Sequence, residues 1–138
     1  MTLKEYFNKN DVFTNECGAE LVTCEPGFAE IKLKTEPRHM SYVGRPHIHA
    51  GVLYTLAESA SAAAMLGYGW DSVAADGTIT YLDAADGGTV TVTAKGKDNH
   101  GEKTGQCRVR IQAEDGRLLA QAKFTVFYTG KPFQIEEN

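Results

Sequence analysis

The sequence has 138 residues, a length typical of one domain, so we expect a single domain over residues 1–138. Hydrophobic residues make up 42% of the chain, which is enough for a buried core, and the formal net charge is -4. This acidic balance argues against general binding to nucleic acid or to anionic membranes. No apolar run approaches the roughly 20 residues that a transmembrane helix needs, so no membrane partner is expected.

The N-terminus and the cysteines bear on the compartment. Residues 1–10 lack the apolar segment of a secretory signal peptide. Cys17, Cys24 and Cys107 are odd in number and match no metal or redox spacing. Reduced thiols in a cytoplasmic protein are the simplest interpretation.

The N-terminal third predicts a short helix followed by a hairpin. Residues 2–8 suit the helix. Predicted strands at residues 19–24 and 28–35 flank Glu25-Pro26-Gly27, whose proline and glycine fit the two central positions of a type II turn.

Residues 51–66 predict one long helix, with Gly67 and Gly69 as natural stops. Its side chains are apolar or small on nearly all sides, so protein must surround it. Small side chains would let a sheet approach closely: Ala57, Ala60, Ala62, Ala63 and Ala64. One carboxylate, Glu58, interrupts this surface and needs an explanation.

After the helix, apolar and polar side chains alternate with a period of two, as in antiparallel strands with one buried face. The predicted strands are residues 73–83, 89–95, 106–113 and 118–128, and we expect these four to form a meander. The whole pattern predicts an α+β fold, in which one curved antiparallel sheet wraps around the long central helix.

The stretch His49-Ala50-Gly51, with an acidic residue nine positions after the histidine at Glu58, resembles the PaaI-like branch of the hot-dog fold thioesterases. That branch has a histidine followed by Gly-Gly or Ala-Gly, then an apolar stretch and the acid. Segments 79–95 and 114–130 are similar to the family's central strand, hairpin and last strand. The resemblance covers about residues 15–130.

The resemblance implies a hot-dog fold and the hydrolysis of a small, medium or aryl acyl-CoA to free acid and CoA, with no cofactor. Glu58 corresponds to the family's general base or nucleophile, and the backbone N–H of Ala50 to its oxyanion donor. Six residues before the histidine, the family usually has Asn or Gln to position the water or the thioester, and this chain has Val43. Tyr54, Thr55 and Thr78 are further candidates for substrate contact.

The residues themselves suit this chemistry. Thioester hydrolysis needs a donor for the carbonyl oxygen and a base or nucleophile near the carbonyl carbon. The first N–H groups of a helix have no partner within it, so Ala50 and Gly51 would present donors, and Gly51 leaves room beside the backbone. A carboxylate among alanines should have a raised pKa. Alternatively, Glu58 belongs to a buried hydrogen-bond network or to a narrow polar stripe with Thr55 and Ser61.

The histidines raise the question of a metal. His47 and His49 would point to one side of an extended segment, as in some metal sites. The further ligands of such a site are missing from the pattern, so we expect no metal. We expect His49 to fix the loop into the helix by a backbone hydrogen bond, and we interpret His47 as a loop residue and His39 and His100 as surface residues.

Basic residues cluster on the predicted middle strands: Lys95, Lys97, Lys103, Arg108 and Arg110. They could contact the phosphates of CoA, and a solvated sheet face explains them equally well. The sequence leaves both interpretations open.

We expect a homo-oligomer, a dimer or a tetramer, because a lone curved sheet leaves a strand edge uncovered. Eight residues of helix separate Ala50 from Glu58, a rise of about 12 Å, so the active site is expected at the subunit interface. A non-catalytic acyl-CoA binder is the alternative, and Val43 favours it. A hot-dog dehydratase would need a different arrangement of Asp and His, which the sequence lacks.

Overall fold

In a computed structural model, the chain is described at residues 1–99 and 101–135. Within those residues, the α-helices are α1 (Leu3–Asn10), α2 (Val12–Glu16) and α3 (Ala50–Leu66), with a 3₁₀ turn at Pro37–His39. The strands are β1 (Glu20–Glu25), β2 (Phe28–Lys34), β3 (Met40–Tyr42), β4 (Arg45–Ile48), β5 (Trp70–Tyr81), β6 (Thr89–Gly96), β7 (Thr104–Gln112) and β8 (Leu118–Pro132).

Six strands form one antiparallel sheet in the order β1-β2-β6-β7-β8-β5, while β3 and β4 form a separate hairpin. The predicted alternation is confirmed: on β6, Val90, Val92 and Ala94 are buried against α3, and the residues between them lie on the outer face. The sheet therefore covers the long helix on its inner side, which is the expected hot-dog arrangement.

The expected four-strand meander is correct for β6, β7 and β8 and wrong for β5. β5 pairs with β8 at the edge of the sheet, and β2 takes the place beside β6. Alternation in a strand determines which face is buried, but it does not determine which strand lies next to it. The connection at residues 82–88 is also longer than a tight hairpin loop, so adjacency in sequence did not require pairing.

The small side chains predicted to bring the sheet close to α3 do so. Ala57, Ala60, Ala63 and Ala64 have no exposed surface, while Ala62 is partly exposed. At the turn of the first hairpin, Gly27 has φ +77° and donates its N–H to the Ala64 carbonyl at 2.9 Å, which ties the turn to the end of the helix. Among the helices of the described residues, none has the length and apolarity that crossing a membrane requires.

His39 is buried, so its interpretation as a surface residue was wrong. Its Nδ1 accepts from the Glu36 N–H at 2.9 Å, and its Nε2 lies 2.6 Å from the Cys17 carbonyl oxygen. A buried imidazole is tolerated here because both ring nitrogens are hydrogen-bonded. The Cys17 carbonyl is 22 residues away along the chain, so no local pattern reveals it. His100 lies outside the described residues.

Candidate active site along the central helix

His49 caps the start of α3. It is the N-cap residue, with extended backbone, and its Nδ1 accepts from the Gly51 N–H at 2.8 Å. Its own N–H donates to the His39 carbonyl at 2.8 Å. The expected backbone hydrogen bond of His49 is therefore present, and it holds the loop in a fixed position at the helix start.

Ala50, the first residue of α3, presents a backbone donor to solvent. The residue is exposed, and within residues 1–99 and 101–135 its N–H has no hydrogen-bond partner. Its carbonyl is held on the other side by the Tyr81 hydroxyl, which donates at 2.9 Å. The N-terminal end of a helix carries partial positive charge, so this N–H is suited to bind an oxyanion.

Gly51 does not offer a second donor, which corrects the expectation from sequence. Its N–H is already bound to Nδ1 of His49. A Cβ at position 51 would lie only 2.9 Å from that nitrogen, so the missing side chain makes room for the capping ring. Of the two predicted donors, Ala50 alone remains available.

Glu58 lies half-buried on the side of α3 that faces α2, about two helical turns after Ala50. It borders a pocket of about 270 Å³, which is also lined by Asp11, Phe13, Thr14, Tyr54, Thr55, Ser59 and Ala62. Two of the predicted substrate-contact residues, Tyr54 and Thr55, thus share a pocket with the predicted base.

The surroundings of Glu58 favour its protonated form. Burial raises the pKa of the Glu58 carboxyl, and the negative charge of Asp11 raises it further. Asp11 is held in place because its carboxylate accepts from the Thr14 N–H at 3.3 Å and from the Thr14 hydroxyl at 2.7 Å. Thr14 Oγ1 in turn lies 2.7 Å from Ser59 Oγ. A carboxylate with a raised pKa is a stronger base once it loses its proton.

The alternative of a buried hydrogen-bond network at Glu58 is not supported. Among the described residues, its carboxylate forms neither a hydrogen bond nor an ion pair. Thr55, its neighbour in the polar stripe, donates its hydroxyl to the Gly51 carbonyl at 2.9 Å, and Ser61 is buried. A half-buried carboxylate without partners is unfavourable for stability, which points to a role in function.

Thr78 does not join this pocket. It pairs with Lys123 on the outer face of the sheet, so the sheet lies between Thr78 and α3. The period of two explains this position, because the next residue, Ile79, is the one that packs against the core. Val43 lies at the tip of the β3–β4 hairpin and is fully exposed.

Asp11, Phe13, Thr14 and Tyr81 were missed by sequence reasoning. An Asp three residues before a Thr is a local N-cap signal that could have revealed α2, since the Asp11 side chain accepts from the Thr14 N–H. Its position next to Glu58 could not be found in this way, because α2 reaches α3 only through packing between distant segments.

The His-x-His pair does not converge on one point. His47 packs against the ring of Tyr42, with 6.1 Å between the centroids, whereas Nδ1 of His49 is bound to Gly51. In the part of the chain that the structure describes, no group of three or more His, Cys, Asp or Glu side chains is close enough to hold a metal ion.

Comparison with known proteins identifies relatives of this arrangement. Residues 46–120 match a family model described as the thioesterase superfamily. A protein of Archaeoglobus fulgidus named as an esterase is 28% identical over 131 residues, which are 95% of this chain and 84% of the relative. The acyl-coenzyme A thioesterase PaaI of Escherichia coli is 27% identical over 128 residues, 92% of this chain and 85% of the relative.

Solved structures show the same fold. The E. coli PaaI protein from the phenylacetic acid degradation operon superimposes with a TM-score of 0.83, covering 95% of this chain and 99% of that one at 24% identity. The protein smu.793 of Streptococcus mutans, solved bound to acetyl CoA, gives a TM-score of 0.74 at 25% identity, over 82% of this chain and 90% of that one. The hot-dog fold expected from the sequence is confirmed.

Proposed function

Because the chain belongs to the thioesterase superfamily, we propose that it hydrolyses an acyl-CoA thioester, with Glu58 as general base or nucleophile and the Ala50 N–H as oxyanion donor. The observation that carries the proposal is on α3, which holds a half-buried carboxylate and an exposed N–H, neither of which has a partner among the described residues. The E. coli relative named as an acyl-coenzyme A thioesterase and the S. mutans structure bound to acetyl CoA support CoA thioesters as the substrate class.

As a base, the Glu58 carboxylate takes a proton from water, whose oxygen attacks the thioester carbonyl carbon. The oxyanion that forms accepts a hydrogen bond from the Ala50 N–H. When the tetrahedral intermediate collapses, the C–S bond breaks and the proton held by Glu58 passes to the departing thiolate. As a nucleophile, Glu58 would attack the carbon itself, the C–S bond would break to release the CoA thiolate, and water would then hydrolyse the resulting anhydride to the free acid and the Glu58 carboxylate.

Two copies of the chain supply one site in this proposal. The donor and the base must both approach one carbonyl group to about 3 Å, yet along one helix they are about 12 Å apart. The glutamate side chain leans toward the helix start and recovers part of that gap. Ala50 does not line the Glu58 pocket. The long strand β5 lies at the edge of the sheet, where only one of its sides is hydrogen-bonded to another strand, and its Val73 is 54% exposed. A second copy in a dimer or tetramer would cover this edge.

A non-catalytic acyl-CoA binder is the second candidate. Val43 favours it, because valine offers no hydrogen bond where the family usually has an amide. Thiol release from a panel of short, medium and aryl acyl-CoAs, measured beside equilibrium binding, separates the two. We expect turnover of at least one substrate by the wild type and at least about 10²-fold slower turnover of it by Glu58→Gln. Saturable binding of the whole panel without thiol release would instead establish the binder.

A further inference from the structure

The outer face of the sheet, on the side away from α3, carries a row of directly opposed cations. Lys95 on β6 is the ladder partner of Arg108 on β7, and Arg108 is the partner of Lys123 on β8. All three side chains are exposed. Neighbouring strands lie about 4.8 Å apart, so three positive charges fall within about 10 Å.

These cations have no anionic partner. Across residues 1–99 and 101–135, none of the three forms an ion pair. Like charges placed opposite each other destabilise a sheet. A basic composition does not explain the row either, since the chain has a net charge of -4. A bound anion would offset the repulsion that the row creates.

The surface around the row has the size and chemistry of a ligand site. It forms a hollow of about 780 Å³, within the range of small-molecule sites. Lys97 and Arg110 add two more cations, and Thr93, Gln106 and Gln121 add hydroxyl and amide groups. The described residues that line the hollow include no carboxylate.

One end of the row offers an aromatic ring. Phe28 on β2 is the ladder partner of Lys95, and it is partly exposed. Bases of nucleotides stack on aromatic side chains that lie next to positive charge. The order of Phe28, Lys95, Arg108 and Lys123 across four neighbouring strands would suit a base followed by phosphates.

We propose that this outer face binds a phosphate-bearing nucleotide, with Lys95, Arg108 and Lys123 on the phosphates. Guanidinium and ammonium groups both bind phosphate strongly. The sheet separates the hollow from α3 of the same subunit, so this site is distinct from Ala50 and Glu58, and only its CoA form rests on the proposed function. Two sources share the chemistry: a free nucleoside polyphosphate, and the nucleotide end of a CoA whose thiol reaches another subunit.

The test is calorimetric titration with ATP, with CoA and with pantetheine, at low ionic strength and without turnover. Arg108→Gln removes the central charge of the row. Lys32→Gln is the matched control, because Lys32 pairs with Thr91 on the same outer face but does not line the hollow. We expect Arg108→Gln to weaken ATP or CoA binding at least tenfold, Lys32→Gln to stay within twofold of wild type, and added salt to weaken binding.

The probes distinguish the two sources. Similar affinities for ATP and CoA, both lost in Arg108→Gln, indicate a free nucleotide. If CoA binds at least tenfold more tightly than either ATP or pantetheine, and this difference in affinity is lost in Arg108→Gln, the ligand is the nucleotide end of CoA. The proposal is overturned if neither probe binds the wild type saturably at millimolar concentration, or if Arg108→Gln binds as the wild type does. The proposal is also overturned if single-stranded RNA binds more tightly than ATP and its affinity increases with the length of the RNA.

Thermal unfolding without ligand shows that the variants are folded. Because Arg108→Gln relieves repulsion within the row, its Tm should equal or exceed that of the wild type. Should Arg108→Gln unfold at a lower temperature, Lys123→Gln at the end of the row replaces it in the same titrations, with the same expected loss of binding.

Discussion

The two candidate reactive groups of α3, the N–H at its start and the carboxylate in its middle, lie in opposite environments. At the start, Ala50 is exposed, and the backbone around its N–H is fixed because His49 Nδ1 accepts from the Gly51 N–H and the Tyr81 hydroxyl donates to the Ala50 carbonyl. In the middle, Glu58 is half-buried, and its basicity comes from poor solvation and the nearby charge of Asp11. A backbone N–H donor needs only a fixed position and access to the substrate, whereas a carboxylate becomes a stronger base when it is poorly solvated.

Removing the carboxylate should have the largest effect. Glu58→Gln keeps the volume of the side chain and abolishes its basicity, so we expect kcat to fall about 10²–10⁴-fold with the fold intact. Glu16→Gln, at an exposed site on α2, is the control and should leave kcat unchanged. Thiol release and circular dichroism measure both. More than about a tenth of wild-type turnover in Glu58→Gln would show that the carboxylate is not essential.

Removing the backbone donor should come next. Ala50→Pro deletes the N–H at the first helical position, where proline is well tolerated, and His49 before it already has extended backbone with ψ 132°. We expect a loss of about 10²–10³-fold in kcat, the usual effect of deleting one oxyanion donor. Ala50→Gly retains the N–H and should keep most of the activity. Equal activities of the Pro and Gly variants would exclude the Ala50 donor.

Mixing the two inactive variants tests whether one subunit provides both groups. If the site is shared, a mixed dimer of Ala50→Pro and Glu58→Gln carries one intact site and one doubly altered site. Random exchange makes half of the dimers mixed, so about a quarter of wild-type activity should return. Each variant exchanged with itself is the control. Absence of recovery after verified exchange would place the donor and the base in the same subunit.

Loosening the helix start should have a smaller effect. Tyr81→Phe removes the hydrogen bond to the Ala50 carbonyl, and one such bond contributes about 1 kcal/mol, so we expect kcat to fall about fivefold with KM little changed. Tyr42→Phe on the exposed hairpin is the control. An unchanged kcat would show that Tyr81 does not position the donor.

Changing the electrostatics of the pocket should shift the pH profile with little change in the maximal rate. A raised pKa keeps Glu58 protonated, and so inactive as a base, to higher pH. Asp11→Asn removes one cause of that rise but keeps a side chain that can cap α2, so the acid limb of kcat/KM should move to lower pH. Asp86→Asn, on an exposed loop, should leave the profile in place. A shift to higher pH, or none, would contradict the assigned influence of Asp11.

Sequence reasoning succeeded where the information is local. The bounds of α3, its close approach to the sheet and the turn at Gly27 follow from side-chain size, periodicity and glycine conformation within a few residues. It failed where distant segments meet. The pairing of β5 with β8, the outward position of Thr78 and the charge of Asp11 beside Glu58 depend on contacts between elements. The occupied N–H of Gly51 is an intermediate case, because it depends on the ring orientation of a residue only two positions away.

The hydrogen bond between Gly51 and His49 determines the tautomer of that imidazole. Since Nδ1 accepts the Gly51 N–H, a neutral ring must carry its hydrogen on Nε2. His49 therefore presents a donor, and no lone pair, on its exposed side. As long as the cap is intact, neither ring nitrogen of the neutral imidazole has a free lone pair, so the role of His49 is to hold the helix start and not to act as a base.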